Sequence, residues 1–349
     1  MTYIGENVLN KLEREGSQAP EKKYKDIIRW RNVGILTFIH VGALIGAHLM
    51  AKEAKWQTII WTIFLYEISA IGIVAGQHRL WTHNSYKVKM PLELLLAFFA
   101  TVAAETSIYN WARDHRVHHK YTDTDADPHN ATRGFFYSHI GWLLYKKNPL
   151  VIEKGKTIFL DDLHANPIVM SQHRYYYRIA IPLSMIITLV PMYFWEETLM
   201  SSFFVGVMLR YCFTIHMTFL INSAAHMFGT RPYDKNINPT ENWLVSLGNI
   251  GDGWHNFHHA FPWDYRSAEL GGFRFNLAAL FIELMAKLGQ AYDLKTASPH
   301  IVLARQKRTG MLSTTQGNTK IETIHSWGYG DKTRPYEESC LSMKNDPSC

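Results

Sequence analysis

Four long apolar runs alternate with polar segments along this chain. Residues 1–26 are polar and charged and read as an N-terminal arm, with Lys22, Lys23, Lys25, Arg29 and Arg31 clustered before the first run. That run, 33–50, is just long enough for a helix to cross a bilayer, and the second, 56–76, crosses with room to spare. The link Ala51–Lys55 is short, so the two predict a transmembrane hairpin. Runs 179–195 and 201–221, turning through Glu196 and Glu197, predict another. Residues 91–108 are apolar too, but Glu93 and Glu105 interrupt them. They predict a helix lying on or dipping into the membrane face rather than a further span. Segments 77–178 and 222–304 carry the polar and histidine-rich positions and form a cap. The expectation is an all-α integral membrane protein with four transmembrane helices in two hairpins under a helical cap. It fills residues 27–304, and 305–349, rich in Ser, Thr and Lys, reads as a disordered tail.

Charge orients this arrangement. The arm, the 77–178 segment and the chain after 226 are rich in Lys and Arg, whereas the two hairpin links carry two Lys and none. By the positive-inside rule both termini and the cap face the cytosol. The net charge of +6 sits beside apolar runs, which favours an anionic membrane surface or a phosphate-bearing ligand over nucleic acid, for which no motif is present. Cys212, Cys340 and Cys349 are too few and scattered for a disulfide framework or a cysteine-based zinc site. The polar N-terminus does not read as a cleavable signal peptide.

The chemistry lies in three histidine boxes. His115, His118 and His119 stand at i, i+3 and i+4, which puts three imidazoles on one helix face. His255, His258 and His259 repeat the spacing. His78 and His83 form a looser box at the end of the second span. Their i, i+5 spacing turns about 140° on a regular helix, so both can join one cluster only if the helix ends or bends, with Asn84 and Ser85 as stop residues. His226 lies one turn beyond Asn222 at the end of the fourth span. Nine histidines on one side of the membrane suit two metals with four or five nitrogens each. Such a shell fits iron, copper, zinc or nickel, not calcium or magnesium. Asp123, Asp125 and Asp127 alternate like half a calcium loop, but Pro128 and Gly134 stand where that loop needs glycine and glutamate, so the run is read as ordering the cap. His40, His48, His164, His173, His216, His300 and His325 lack box spacing and read as packing or surface residues; His129 and His139 read as structural groups near the boxes.

Taken together, His-Arg-Leu-Trp-Thr-His, Trp-Ala-Arg-Asp-His-Arg-Val-His-His, Asp-Ala-Asp-Pro-His-Asn, Asn-Ser-Ala-Ala-His and Gly-Trp-His-Asn-Phe-His-His resemble the membrane-bound fatty acyl-CoA desaturases of the stearoyl-CoA desaturase type. The likeness covers about residues 25–310, and the tail and Trp254 look like the insect branch. The resemblance implies two irons held by His78, His83, His115, His118, His119, His226, His255, His258 and His259, with Asn222 ligating through water. It implies dioxygen as co-substrate and electrons from cytochrome b5 and its NADH-dependent reductase. The sequence has no His-Pro-Gly-Gly haem motif, so that carrier is expected to be a separate protein; no bound haem or flavin is expected. The resemblance also implies a bent acyl tunnel, with Trp111 and Thr218 at the bend, Tyr66 and Ala70 at the closed end, and Arg113, Asp114, Lys146 and Lys147 at the acyl-CoA head. Two positions depart from it. Glu105 stands at the bend where the family often has glutamine, and Glu67 places a carboxylate inside the second span, which is costly and marks a functional candidate.

The expected activity is therefore insertion of a cis double bond into a saturated or monounsaturated long-chain acyl-CoA, at Δ9 or a related position such as Δ11, in the endoplasmic reticulum membrane. A diiron lipid hydroxylase is the alternative, and a membrane protein with structural zinc is a third, non-enzymatic reading.

Overall fold

The computed structural model describes residues 24–269 and 276–311. Most of the N-terminal arm, the tail beyond 311, Cys340, Cys349 and His325 lie outside these described residues.

Four helices among them are long and apolar enough to cross a membrane. The first is α1, Trp30–Lys52. The second is α2, Trp56–Ile71, which continues without a break as a π-helical segment, Gly72–Thr82. Helix α3, Met90–Ala103, follows, then α4, Ile108–Lys120. The third spanning helix is α5, Pro167–Trp195. The fourth runs from Leu199 to Met227 through a π-helical segment, Phe204–Leu209, and α6, Arg210–Asn222. The spanning helices overrun their apolar runs on the histidine-bearing side, most of all α5, which starts at Pro167 rather than near 179. Phe38, Leu44, Ile181 and Phe194 project outward and exposed, as lipid-facing residues do. Inside the bundle, α1 packs on the Phe204–Leu209 segment, where a Cβ on Gly46 would collide with the Phe204 carbonyl; glycine permits the close approach.

The two hairpin turns are clasped to each other. Glu197 accepts hydrogen bonds from the Lys55 N–H at 2.8 Å and the Thr58 hydroxyl at 2.6 Å, and Lys55 Nζ donates to the Trp195 carbonyl at 2.7 Å. This fixes both turns on one side and leaves the four open helix ends on the other.

Helix α3 is 14 residues long, about 21 Å, too short to cross about 30 Å of hydrocarbon. It packs along α2 and its π-helical extension and against α5, then meets α4 at an 82° bend. Glu93 is accommodated there because its Oε1 accepts from Asn166 at 2.6 Å and from the Trp81 indole at 3.3 Å. The remaining cap includes α7, His255–Ala260, α8, Leu277–Lys287, and a two-stranded antiparallel pairing of β1, Lys87–Val88, with β2, Ala291–Tyr292. Helix α9, Pro299–Thr309, carries regular structure past residue 305, where the sequence pattern placed the start of the tail.

Candidate metal centre

The π-helical segment resolves the spacing of the first box. Its i→i+5 hydrogen bonding includes the His83 N–H to the His78 carbonyl at 3.2 Å, which stacks residues five apart on one face. The rings of His78 and His83 lie 4.9 Å apart. The helix stops at Asn84, whose φ of 48° cannot continue it. So the bend anticipated between the two histidines is instead a wider helical turn, with the stop placed just after.

The nine histidines gather into two groups. One donor atom from each of His78, His83, His115, His119 and His258 lies within 4.8 Å of the others, and the same holds for His118, His226, His255 and His259. Neither helical box serves one group alone. In α4 the i, i+4 pair His115 and His119 joins the first group while His118 joins the second. In α7 the pair His255 and His259 joins the second while His258 joins the first.

Three aspartates orient the rings. Asp252 lies 3.0 Å from His78 Nδ1, Asp127 2.9 Å from His118 Nδ1, and Asp123 3.1 Å from His226 Nδ1. An ionised carboxylate only accepts, so each Nδ1 carries the proton and each Nε2 keeps its lone pair. Burial works against the charge on Asp123, but the bond from His226 brings its carboxyl down to about 2. Asp127 and Asp252 are likewise held below the ordinary carboxylate range by their histidines, against the pull of burial. Two of the three alternating aspartates, Asp123 and Asp127, therefore do more than order the cap. Asp252 was missed in the sequence altogether; its one signal is its place three residues before His255.

Burial first, then neighbouring rings, pushes His83, His115, His119, His255, His258 and His259 well below the usual imidazole range. Neutral imidazoles are what a metal needs. The hydrogen bonding points the same way. His258 Nε2 lies 2.9 Å from both His78 Nε2 and His119 Nε2, and His119 Nε2 is also 3.1 Å from His115 Nε2. Protons cannot satisfy such a convergence of lone pairs. His118 Nε2, His226 Nε2 and both nitrogens of His83 are buried with no hydrogen-bond partner among the described residues. The donor set fits two metal ions.

A cavity of about 160 Å³ opens beside the first group, lined by Glu105, Trp111, Asp114, His115, Thr218 and Asn222 among others. The Trp111 ring stacks on His115 at 4.8 Å. Glu105 accepts from the Thr218 hydroxyl at 2.5 Å and from the Trp111 indole at 3.4 Å. Burial raises the Glu105 carboxyl to about 7, with those two hydrogen bonds opposing the rise. Tyr66 and Trp111 both pack on the apolar cluster that holds Ala70, Ala103 and Ile250, and the Tyr66 hydroxyl donates to the Gly248 carbonyl. Glu67, beside Tyr66, is half-buried on α2. Arg113 and Lys147 both bind Asp114, the former at 2.9 Å, so the three form one charged unit at the cavity's edge. Lys146 is exposed, its backbone N–H bonded to the Ile27 carbonyl.

Residues 54–271 match the model of the fatty acid desaturase family. The chain belongs to the fatty acid desaturase family. This desaturase is 50% identical to an acyl-CoA Delta-9 desaturase of Acheta domesticus, over 92% of its own length and 87% of the relative's. It is 52% identical to the stearoyl-CoA desaturase of Homo sapiens, over 80% and 78% of the two chains. An acyl-CoA Delta(11) desaturase of Choristoneura rosaceana is 49% identical, over 86% and 89%. Membership makes this desaturase an oxygen-dependent oxidoreductase of a metal-dependent family, and the two histidine groups are where it could hold its metals.

Proposed function

We propose that this chain inserts a cis double bond into a long-chain acyl-CoA, at Δ9 or a related position such as Δ11. The observation that carries the reading is the cavity that brings Trp111, Thr218 and Glu105 against His115 and Asn222, the last residue of α6 before the segment bearing His226. Iron is the proposed metal, held by the nine histidines with Asn222 acting through water. Two bound irons supply dioxygen reduction and removal of two hydrogens from adjacent carbons. The chain's own task is positioning: a bent path between Trp111 and Thr218 presents one carbon pair and excludes its neighbours. Arg113, Asp114, Lys146 and Lys147 at the outer edge suit the polar, phosphate-bearing end of the substrate. Tyr66 and Ala70 would close the far end.

Cytochrome b5 and its NADH-dependent reductase are proposed as the electron source, and the endoplasmic reticulum membrane as the site, with cap and termini cytosolic. The basic flanks of the spans support that orientation. The relatives named above are all desaturases, and the hydroxylase reading finds no support in them.

Expression in yeast lacking its own fatty acid desaturase, followed by mass spectrometry of total fatty acids, tests the proposal. New monounsaturated acids, absent with His118→Ala, are expected, and their double-bond position sets the regiochemistry. Hydroxy acids, or unchanged lipids with the protein present in the membrane, would overturn it.

A further inference from the structure

Apart from the nine-histidine centre, α1 and α6 bring together His40, His216 and Cys212, one donor atom of each lying within 4.8 Å of the others. We propose that these three side chains form a separate site for a single copper(I) ion inside the membrane bundle.

A chain of hydrogen-bonding contacts through these rings is one proton short. His40 Nδ1 lies 2.6 Å from the Leu36 carbonyl, and His40 Nε2 lies 2.9 Å from His216 Nε2. His216 Nδ1 lies 2.9 Å from His139 Nε2, and His139 Nδ1 lies 3.0 Å from the Ser223 hydroxyl. That hydroxyl lies 2.8 Å from the Phe219 carbonyl. The chain has five contacts and carbonyls at both ends. Three neutral imidazoles and one hydroxyl bring four protons. Starting from the carbonyls, which only accept, protons fill inward from each end. Ser223 donates to Phe219, His139 Nδ1 to Ser223, His216 Nδ1 to His139, and His40 Nδ1 to Leu36. The contact left without a proton is the one between the two Nε2 atoms, where two lone pairs face each other. A cation belongs there.

The surroundings choose the cation. Cys212 stands one helical turn before His216 on the same face of α6, buried and free, so its sulfur is a third donor. Among the described residues no carboxylate hydrogen-bonds to any of the three rings, so an added proton would leave an uncompensated charge among the spanning helices. Two neutral imidazoles and a thiolate sum to −1. A monovalent ion brings the site to zero, whereas a divalent ion leaves +1 at low dielectric. Soft thiolate ligation suits copper(I) and zinc among the common metals, and the charge balance decides for the monovalent ion. Both histidines present the arrangement of metal ligands, each donating its other ring N–H to a fixed acceptor.

The test uses the iron-loaded, full-length protein in detergent, with Cys340→Ser and Cys349→Ser to remove the tail thiols. Copper(I) is supplied under reducing conditions in competition with a chromogenic copper(I) chelator, and the bound metal is examined by X-ray absorption. One copper per chain with one sulfur and two imidazole nitrogens is expected. Cys212→Ala should remove the sulfur and weaken binding at least tenfold, and His216→Gln should do likewise without changing iron content. His118→Ala should leave the sulfur-bearing copper in place. Failure to hold copper against the chelator, a nitrogen-only copper shell lost with His118→Ala, or retention of zinc in preference to copper would each overturn the assignment.

Discussion

Asp252 holds the His78 ring by its Nδ1 while Arg79 Nη2 stands 3.5 Å from the same carboxylate oxygen. Asp252→Asn keeps the shape but offers His78 a neutral partner that can sit in either amide orientation. Carboxylates behind metal-bound histidines are worth roughly 10–100-fold in metal affinity or activity. Iron per chain and turnover should both fall by that order, read by elemental analysis and product formation on one preparation. Glu105 gives a pH signature. Its carboxyl, at about 7 in the fold against 4.5 ordinarily, favours folding when protonated. That contribution is complete below about 4.5 and is lost as pH rises through about 7. Glu105→Gln cannot ionise, so its melting temperature should gain on that of the wild type from about pH 4.5 to about 7 and hold a constant lead above. Melting curves of both proteins across that range decide it, and parallel curves would rule it out.

Among the elements, the π-helical segment was the least legible. The apolar run and the Asn84 stop were visible, but a regular helix cannot align His78 with His83, and nothing in the side-chain pattern announces a wider turn. The other two boxes were legible because i, i+3, i+4 spacing needs only an ordinary α-helix. The division of their ligands between two groups was not, since it depends on how α4 and α7 face each other. His40, His139 and His216 come from three separate segments, and their meeting depends on how α1 and Tyr137–Gly141 pack on α6. Gly72 shows how closely the π-helical segment is held. A Cβ there would strike the backbone of Phe99 and Ala100 in α3, which has no flexible side chain to yield. Gly72→Ala should therefore cost about 1–3 kcal/mol, as overpacked sites do, and lower the thermal inactivation temperature without altering the double-bond position.

At the scale of the whole molecule, the fold follows from the hydrophobic pattern: two hairpins, one clasped side, one open side roofed by the cap. Metal binding should contribute to its stability, because both nitrogens of His83 and the Nε2 atoms of His118 and His226 are buried with no hydrogen-bond partner among the described residues. Stripping the ions with a chelator should lower the melting temperature, and restoring ferrous iron should recover it; an unchanged midpoint would contradict the fit of the donor set.

Helices α4 and α7 are crossed between the two metal positions. Each of these short helices supplies ligands to both groups, so the two metal positions share their rigid supports. Filling the first position orders both helices and thereby half-builds the second. Uptake of ferrous iron by the stripped protein should then be sigmoidal, with chains holding a single iron scarce at every stage of the titration.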